Sequence, residues 1–327
     1  MERGPIFVAG AERSGTSLLY ALLGSHPNIA MTRRTNLWRH FHDQYGDLRD
    51  PDNLERCVDM MMSYKRLAVL QPDFDRLRRD FLVGERTYAR LFALLEEQYA
   101  ERLGKPRWGD KSLHTEQYAD FIFPAYSGAR ILHMIRDPRD RYASSQARWE
   151  VRRGGVGAGT AEWLSSVRFA RRNQQRYPHQ YRIVRYESLA TEPEQTLREI
   201  CEFVGEEYAP EMLTMEGATR FREQGSNSSY GRYDPGAIST KSIGRFRQVL
   251  SPRQIAFIQL LAKHRMALFD YTPERLRLSF GQHLRFTAAD LPIESMRLLA
   301  WWTLDAIGNR TGRPVPAYRL VERERAS

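Results

Sequence analysis

The N-terminal segment constrains the fold most strongly, because it predicts a buried strand, a glycine turn and a helix in immediate succession. Residues 6–9 are a short apolar run, and the turn at 10–15 follows directly. Leucines then recur over 18–23 at a spacing typical of a helix. Apolar runs at 131–135 and 181–186 predict further strands, separated by helical segments. This alternation predicts an α/β fold, a P-loop-like three-layer structure with a central parallel sheet flanked by helices.

The rest of the chain is predicted to be mostly helical, with two loops. Residues 154–159 contain four glycines and predict a surface loop, and residues 219–247 show no period and predict an ordered loop. Thr191 and Ser251 each precede a proline and a Glu or Gln in the pattern of a capping box. Predicted helical segments cover 52–103, 115–123 and 163–176, and a further helix follows residues 136–140 and runs to about 149. The predicted domains are an α/β domain at 1–270 and a C-terminal helical extension at 271–327 packed on it.

Composition narrows the class of protein. The chain has 327 residues, of which 42% are hydrophobic, enough for a large buried core. No run approaches the ~18 apolar residues of a membrane span, and the first residues lack the pattern of a secretory signal. Two cysteines, Cys57 and Cys201, cannot build a disulfide framework. These features predict a cytoplasmic protein.

The basic excess has two interpretations. The net charge is +10, and arginine supplies 45 of the 50 cationic residues. The planar guanidinium suits phosphate and sulfate oxygens, so an anionic partner is one interpretation. Solvated arginines at the surface are the other, and net charge alone does not separate them.

The turn after the first strand matches a phosphate-binding pattern except at one position. Residues 10–17 read G-A-E-R-S-G-T-S, against G-x-x-x-x-G-K-[ST] for a P-loop, with Thr16 in place of the lysine. Backbone N–H groups and the helix dipole still favour an anion there. The point charge that reaches the β- and γ-phosphates of ATP is missing, although Arg13 can supply charge from another angle. We therefore expect a phosphate-like ligand but not the chemistry of a P-loop kinase.

Two motifs together resemble a known family. Residues 13–19, followed by His26-Pro27, resemble the 5′-phosphosulfate loop of sulfotransferases that use 3′-phosphoadenosine 5′-phosphosulfate (PAPS), notably bacterial and tyrosylprotein sulfotransferases. The second signature of that family is a strand, an arginine and a serine eight residues later, and Arg136 and Ser144 match it. An arginine and a serine placed in this way can converge on one phosphate.

Three further stretches are similar to family segments, so the resemblance covers about residues 5–270. They are 108–112 with Lys111, 185–189 with Tyr186, and 242–247 with Arg245 and Arg247. The resemblance implies transfer of a sulfuryl group from PAPS, by in-line displacement, to a carbohydrate, lipid, phenol or peptide hydroxyl. It implies no metal and no nucleic-acid partner.

The resemblance also implies roles for individual residues. Lys111 and Arg13 are predicted to stabilise charge on the transferring group, because that charge must be neutralised in the transition state. The predicted cofactor-binding residues are Arg13, Ser14, Gly15, Thr16, Ser17, Arg136, Ser144, Tyr186, Arg245 and Arg247.

The general base departs from the family pattern. Tyrosylprotein sulfotransferases carry a glutamate after the His-Pro, and an ungapped alignment puts Arg34 at that place. A guanidinium cannot take a proton at neutral pH. His114, three residues after Lys111, is the first candidate because its ordinary pKa suits a base. Asp110 and His40 follow, and a structural role is an open alternative for each.

The sequence leaves open two alternative functions and the role of one helix. The alternatives are a P-loop-type small-molecule kinase and a non-catalytic nucleotide- or nucleic-acid-binding protein. The apolar pattern around Trp301 and Trp302 predicts a helix. Packing on the core is the favoured role for that helix, and an acceptor lid, a dimer contact and a membrane-surface helix are the alternatives.

Overall fold

The computed structural model describes residues 3–146, 154–218, 221–222, 237–312, 315–316 and 319–320. Its centre is a parallel sheet in the order β2-β3-β1-β4-β5. The strands are β1 (Ile6–Ala9), β2 (Ile29–Arg33), β3 (Arg107–Lys111), β4 (Arg130–Ile135) and β5 (Tyr181–Arg185). The predicted α/β fold with a parallel central sheet is confirmed.

Helices connect the strands and cover both faces of the sheet. Those up to β5 are α1 (Thr16–Gly24), α2 (Leu37–His40), α3 (Pro51–Ser63), α4 (Lys65–Ala68), α5 (Phe74–Leu82), α6 (Tyr88–Arg102), α7 (Ala119–Ala125), α8 (Pro138–Gln146) and α9 (Gly155–Arg176). After β5 come α10 (Tyr186–Thr191), α11 (Pro193–Val204), α12 (Phe246–Val249), α13 (Pro252–Met266), α14 (Phe280–Arg285) and α15 (Leu291–Thr311), with a π-turn at Phe286–Asp290 before α15.

Alternate residues of β1 show how the layers form. Side chains of a strand point to opposite faces in turn, and all four residues of β1 are buried. Ile6 and Val8 pack in one apolar cluster with α1, α10 and α11. Phe7 and Ala9 pack on the other face with α3, α6 and α7. A further cluster surrounds α9 and joins α8, α13 and the C-terminal helices.

The sequence analysis did not predict β2 and β3, and for β3 the reason is its polarity. β3 reads R-W-G-D-K, yet all five residues are buried. Arg107 at its start forms an ion pair with Glu206, 3.0 Å from Nη1 to Oε1, and both side chains are almost fully buried. The partner is 99 residues away along the chain. When the partners of a strand's charged residues lie far away in sequence, the strand itself lacks the apolar run by which a buried strand is recognised.

The predicted loop at 154–159 is wrong, because these residues begin α9 and most of them are buried. Glycine is needed there for close packing rather than for flexibility. A Cβ at Gly157 would overlap the backbone carbonyl of Glu294 on α15. The Gly157 N–H donates to Oε2 of Glu294 at 2.8 Å, which satisfies one of the open donors at the helix start.

Other local predictions had mixed outcomes. The capping box at Ser251 is formed, with Gln254 as its reciprocal partner. The box predicted at Thr191 is wrong, because α11 begins at Pro193 after Glu192, without a side-chain cap. Most of the loop predicted at 219–247 and the end of the helix predicted to 149 lie outside the described residues.

The C-terminal helices lie against α9. Phe286 and Leu298 are buried in the cluster around that helix, and Trp301 packs partly against it. Helix α15 thus packs against α9. No helix among the described residues is both long and apolar enough to span a bilayer.

Candidate active site

The motifs singled out in the sequence meet at one edge of the sheet. Lys111 ends β3, the turn at 10–15 follows β1, Arg136 follows β4, and Tyr186 follows β5. These strands are neighbours in the sheet, and their carboxyl ends lie at the same edge. The chain order reverses at β1, which makes this edge the switch point where α/β folds bind their ligands.

The turn after β1 reaches its shape through residues in the left-handed region. Arg13 and Gly15 both have positive φ, at 69° and 92°, and Gly15 immediately precedes α1. A Cβ on Gly15 would overlap the ring of Tyr186. Gly15 therefore adopts a left-handed conformation immediately before α1 and packs directly on the Tyr186 ring. Only glycine meets both requirements.

Two glutamates hold the backbone of this turn from behind. Glu116 Oε2 accepts from the Gly10 N–H at 3.3 Å, and Glu162 Oε1 accepts from the Glu12 N–H at 3.2 Å. Arg141 donates to Glu162 at 3.0 Å and to the Glu12 carbonyl at 2.9 Å. Burial raises the pKa of Glu116 to about 7. Sequence reasoning missed all three residues, which lie over 100 positions from their partners in the turn.

The structure brings Arg13, Ser144 and Arg136 together. Arg13 Nε donates to Ser144 Oγ at 3.0 Å, and Arg136 Nη1 lies 3.4 Å from the Arg13 carbonyl oxygen. Ser144 and Arg136 are buried. The two motifs recognised in the sequence therefore form one continuous polar surface across β1 and β4.

Arg136 is the buried cation of this surface. Its guanidinium stacks 4.3 Å from the centroid of the Tyr186 ring, and Nη2 donates to the Ser242 carbonyl at 2.8 Å. The Tyr186 hydroxyl lies 2.7 Å from Ser242 Oγ. Within the described part of the chain, the buried Arg136 Nε has no hydrogen-bond acceptor. A buried guanidinium with an open donor fits a phosphate group.

The segment after Ser242 is held beside Arg136 by a carboxylate. Asp140 accepts from the Gly244 N–H at 2.6 Å and from the Phe246 N–H at 2.9 Å, and its burial raises its pKa to about 6. Arg245 lies between these two anchored positions and is half-buried. Arg247 is largely exposed, pairs with Glu274 and stacks on the ring of the buried Phe246.

Lys111 occupies the other side of the turn. Its side chain is buried, and no hydrogen bond of its amine falls within the described residues. Its pKa is lowered to about 7, chiefly by burial and also by the positive charges of Arg34 and Arg33, while Asp110 and Glu12 act in the opposite sense. Glu12 is a carboxylate within the turn that the sequence analysis did not weigh.

The carboxyl of Asp110 is directed into the sheet. Thr32 Oγ1 lies 3.1 Å from Asp110 Oδ1 and 3.0 Å from Glu96 Oε1. Burial raises the pKa of Asp110, and burial together with the charge of Asp110 raises that of Glu96 well above its usual range. Asp110 thus shares a buried polar cluster between β2 and β3.

The two candidate histidines have different surroundings. His114 has a positive φ of 65° and is half-buried at the start of the 3-10 helix Thr115–Tyr118, three residues beyond Lys111. His40 is buried, and its Nε2 lies 3.3 Å from Arg319 Nη1 of the C-terminal segment. Of the two candidate bases, His114 is therefore the histidine that lies in the loop after β3.

Sequence comparison identifies the family to which this site belongs. A profile described as "Sulfotransferase family" matches residues 5–210, which is more than half of the chain. The chain belongs to the sulfotransferase family. A second profile, described as "Sulfotransferase domain", matches residues 158–270 of this sulfotransferase-family chain. The predicted family is confirmed.

Solved structures share the fold of this family member. The sulfotransferase domain of the Synechococcus PCC 7002 olefin synthase is 21% identical, with a TM-score of 0.56, and the match covers 83% of this chain and 97% of that domain. The sulfotransferase domain from the curacin biosynthetic pathway is 18% identical, with a TM-score of 0.51, over 81% of this chain and 98% of that domain. At these identities the likeness concerns the fold.

A curated relative is much longer than this chain. An uncharacterized protein of Aquifex aeolicus (strain VF5) is 25% identical over 216 residues, which are 61% of this chain. The matched part is 25% of that protein, so this chain spans about a quarter of its length.

Proposed function

We propose that this chain is a PAPS-dependent sulfotransferase that moves a sulfuryl group to a hydroxyl acceptor by in-line displacement. The observation that carries the proposal is the contact of Arg13, Ser144 and Arg136 beside the turn after β1. This contact joins a phosphate-binding turn to a buried guanidinium–serine pair, as a nucleotide with phosphates at both its 5′ and 3′ positions requires. PAPS, when bound, supplies the activated sulfuryl group.

The residues divide into two groups on this proposal. The backbone N–H groups of the turn, together with Ser14, Gly15, Thr16 and Ser17, bind the 5′ end through the helix start. Arg136 and Ser144 bind the 3′-phosphate, with Arg245 beside them. Tyr186 supports both groups, because its ring lies between Gly15 and the Arg136 guanidinium.

Charge in the transition state is handled by Lys111 and its surroundings. A buried amine flanked by Arg33 and Arg34 gains more from a neighbouring anion than an exposed one, because the local dielectric is low. An anion at this place favours the ammonium form of Lys111, which then donates hydrogen bonds toward the transferring group. The acceptor hydroxyl also loses a proton, and His114 is the proposed base.

The acceptor belongs to the hydroxyl-bearing compounds considered from the sequence. Carbohydrate, lipid, phenol and peptide hydroxyls all meet the chemical requirement of an oxygen nucleophile that releases one proton.

A ligand comparison tests the proposal. The melting temperature of the purified chain is measured with the product nucleotide 3′-phosphoadenosine 5′-phosphate (PAP), with ATP and magnesium, and with neither. A ligand present at 100 times its dissociation constant stabilises the folded state by about 2.7 kcal/mol. We expect PAP to raise the melting temperature by several degrees and ATP with magnesium to raise it less.

Incubation with PAPS and a pool of hydroxyl compounds then gives the activity readout, as PAP released over time. Release that depends on the pool supports the proposal. Stronger stabilisation by ATP with magnesium than by PAP, together with no acceptor-dependent release, would instead favour the P-loop kinase alternative.

A further inference from the structure

Helix α15 carries apolar side chains on the face that points away from the core. Leu298 is buried against α9, whereas other large apolar side chains of the same helix are exposed. Four of them, together with the exposed Ala300, share one side of the helix and are here called the outer face of α15: Ile293 (42% exposed), Met296 (63%), Leu304 (69%) and Ile307 (51%). Leu299 (57%) and Trp302 (41%) are exposed on its other flank.

The spacing of the outer face is the same in both directions along the helix. Positions 293, 296, 300, 304 and 307 follow one another at intervals of 3, 4, 4 and 3, and they share one side of a helix. An antiparallel copy centred on Ala300 therefore sets Ile293 against Ile307, and Met296 against Leu304. The residue at the centre is small, which allows two helix axes to approach closely.

We propose that the outer face of α15 is a homodimer interface, in which two copies of the chain pair their α15 helices antiparallel about a two-fold axis at Ala300. A two-fold interface uses the same patch on both subunits, so the patch must be complementary to itself. The reversed spacing meets that condition.

The size of the outer face agrees with a stable dimer. The four exposed side chains present on the order of 400 Å² of apolar surface, within the range of the largest patch on a monomer, about 300–600 Å². A standard interface buries about 800 Å² per partner, of which some 60% is apolar. The outer face alone supplies most of that apolar share.

The charges of α15 favour a second copy over a lipid surface. Helices that lie on anionic membranes carry Lys and Arg on the polar side. Residues 291–311 contain two arginines and two acidic residues, a net charge of zero rather than a basic excess, and Arg297 is paired with Glu294. A protein partner that matches the apolar spacing fits this helix better than an anionic lipid surface.

Sedimentation velocity of the full chain over a hundredfold concentration range tests the association. We expect a dimer whose dissociation constant rises at least tenfold in Leu304→Glu, since the new carboxylate faces Met296 of the partner. Val83→Glu is the matched control, because Val83 is 88% exposed and belongs to another element, at the end of α5. Circular dichroism and PAP-induced stabilisation show whether each variant is folded.

Cross-linking tests the register. Ala300→Cys should form a disulfide between two copies, whereas Ala306→Cys, on another side of the same helix, should not. A mixture of Ile293→Cys and Ile307→Cys should give the mixed disulfide. The native Cys57 and Cys201 are buried and do not compete.

Several outcomes would overturn the proposal. They are a wild-type chain that stays monomeric at all concentrations, a dimer unaffected by Leu304→Glu, and a mixture in which Ile293→Cys and Ile307→Cys each pair only with themselves, which would indicate parallel helices. A monomer that binds phosphatidylserine vesicles through α15, and loses this binding in Leu304→Glu, would assign the outer face to a lipid surface instead.

Discussion

The two halves of the candidate site differ in how their charges are compensated. At the ends of β1 and β4, Arg13, Ser144 and Arg136 are linked by hydrogen bonds, and Arg136 also rests on an aromatic ring. At the ends of β2 and β3, Lys111 lies near Arg33 and Arg34, and its burial together with their charges lowers its pKa. The first half is a preformed cradle, and the second is a concentration of like charge that a bound anion would relieve.

The largest effect is expected in the first half. Arg136→Ala removes the buried guanidinium and its hydrogen bonds, so we expect kcat/KM for the PAPS-dependent reaction to fall on the order of 10³-fold, since charge-assisted hydrogen bonds contribute about 1.5–3 kcal/mol each. PAP binding should weaken in parallel, as isothermal titration would show. Arg198→Ala, which removes a surface pair with Glu194, is the control. Equal loss in both variants would mean that net charge, rather than this cradle, attracts the nucleotide.

A smaller effect is expected from the proposed base beyond β3. His114→Asn keeps a residue that tolerates the left-handed backbone, and we expect kcat to fall about 10²-fold with unchanged affinity for PAP, because base catalysis contributes ~10²–10⁴-fold. The low-pH limb of the kcat/KM profile should disappear. His179→Asn, at an exposed position, is the matched control. A variant with wild-type kcat and profile would move the search for the base to Glu12 and His40.

The smallest effect tests the like-charge half through pH. Because the pKa of Lys111 is about 7, its amine is mostly neutral above that pH, and an anionic ligand prefers the ammonium form. Binding then takes up a proton, so the affinity for PAP should fall as pH rises from 7 to 9, by at most tenfold per unit. In Lys111→Met this dependence should vanish, and in Lys263→Met, at an exposed position, it should persist. An unchanged slope in Lys111→Met would contradict the assignment.

How far the sequence predicts each half follows from the distances involved. In the first half the signals are short motifs: the turn at 10–17, and Arg136 with Ser144 eight residues later, so the cradle could be read directly. Its supports could not, because Glu116 and Glu162 reach the turn from over 100 residues away. In the second half, β3 carries charges that hide its strand character, so the burial of Lys111 could not be anticipated.

The error at 154–159 has a related cause. Glycines there were interpreted as flexibility, whereas a neighbouring helix makes them necessary, since Gly157 faces the Glu294 backbone. A single sequence does not distinguish a glycine required for backbone flexibility from one required for close packing. Here the position of α15 shows that close packing is the reason.

Helix α9 gives this last contact a practical consequence. At its N-terminal end the Gly157 N–H donates to the Glu294 carboxylate. Further along the helix, Glu162 accepts from the Glu12 N–H, and the Trp163 indole N–H donates to the Arg136 carbonyl. A fragment trimmed at residue 270, where the family match ends, would lose α15 and leave the glycine start of α9 bare to water. Helix α9, which supports the turn after β1, would then lose its packing at its N-terminal end, so a shortened expression clone should retain the chain through residue 312.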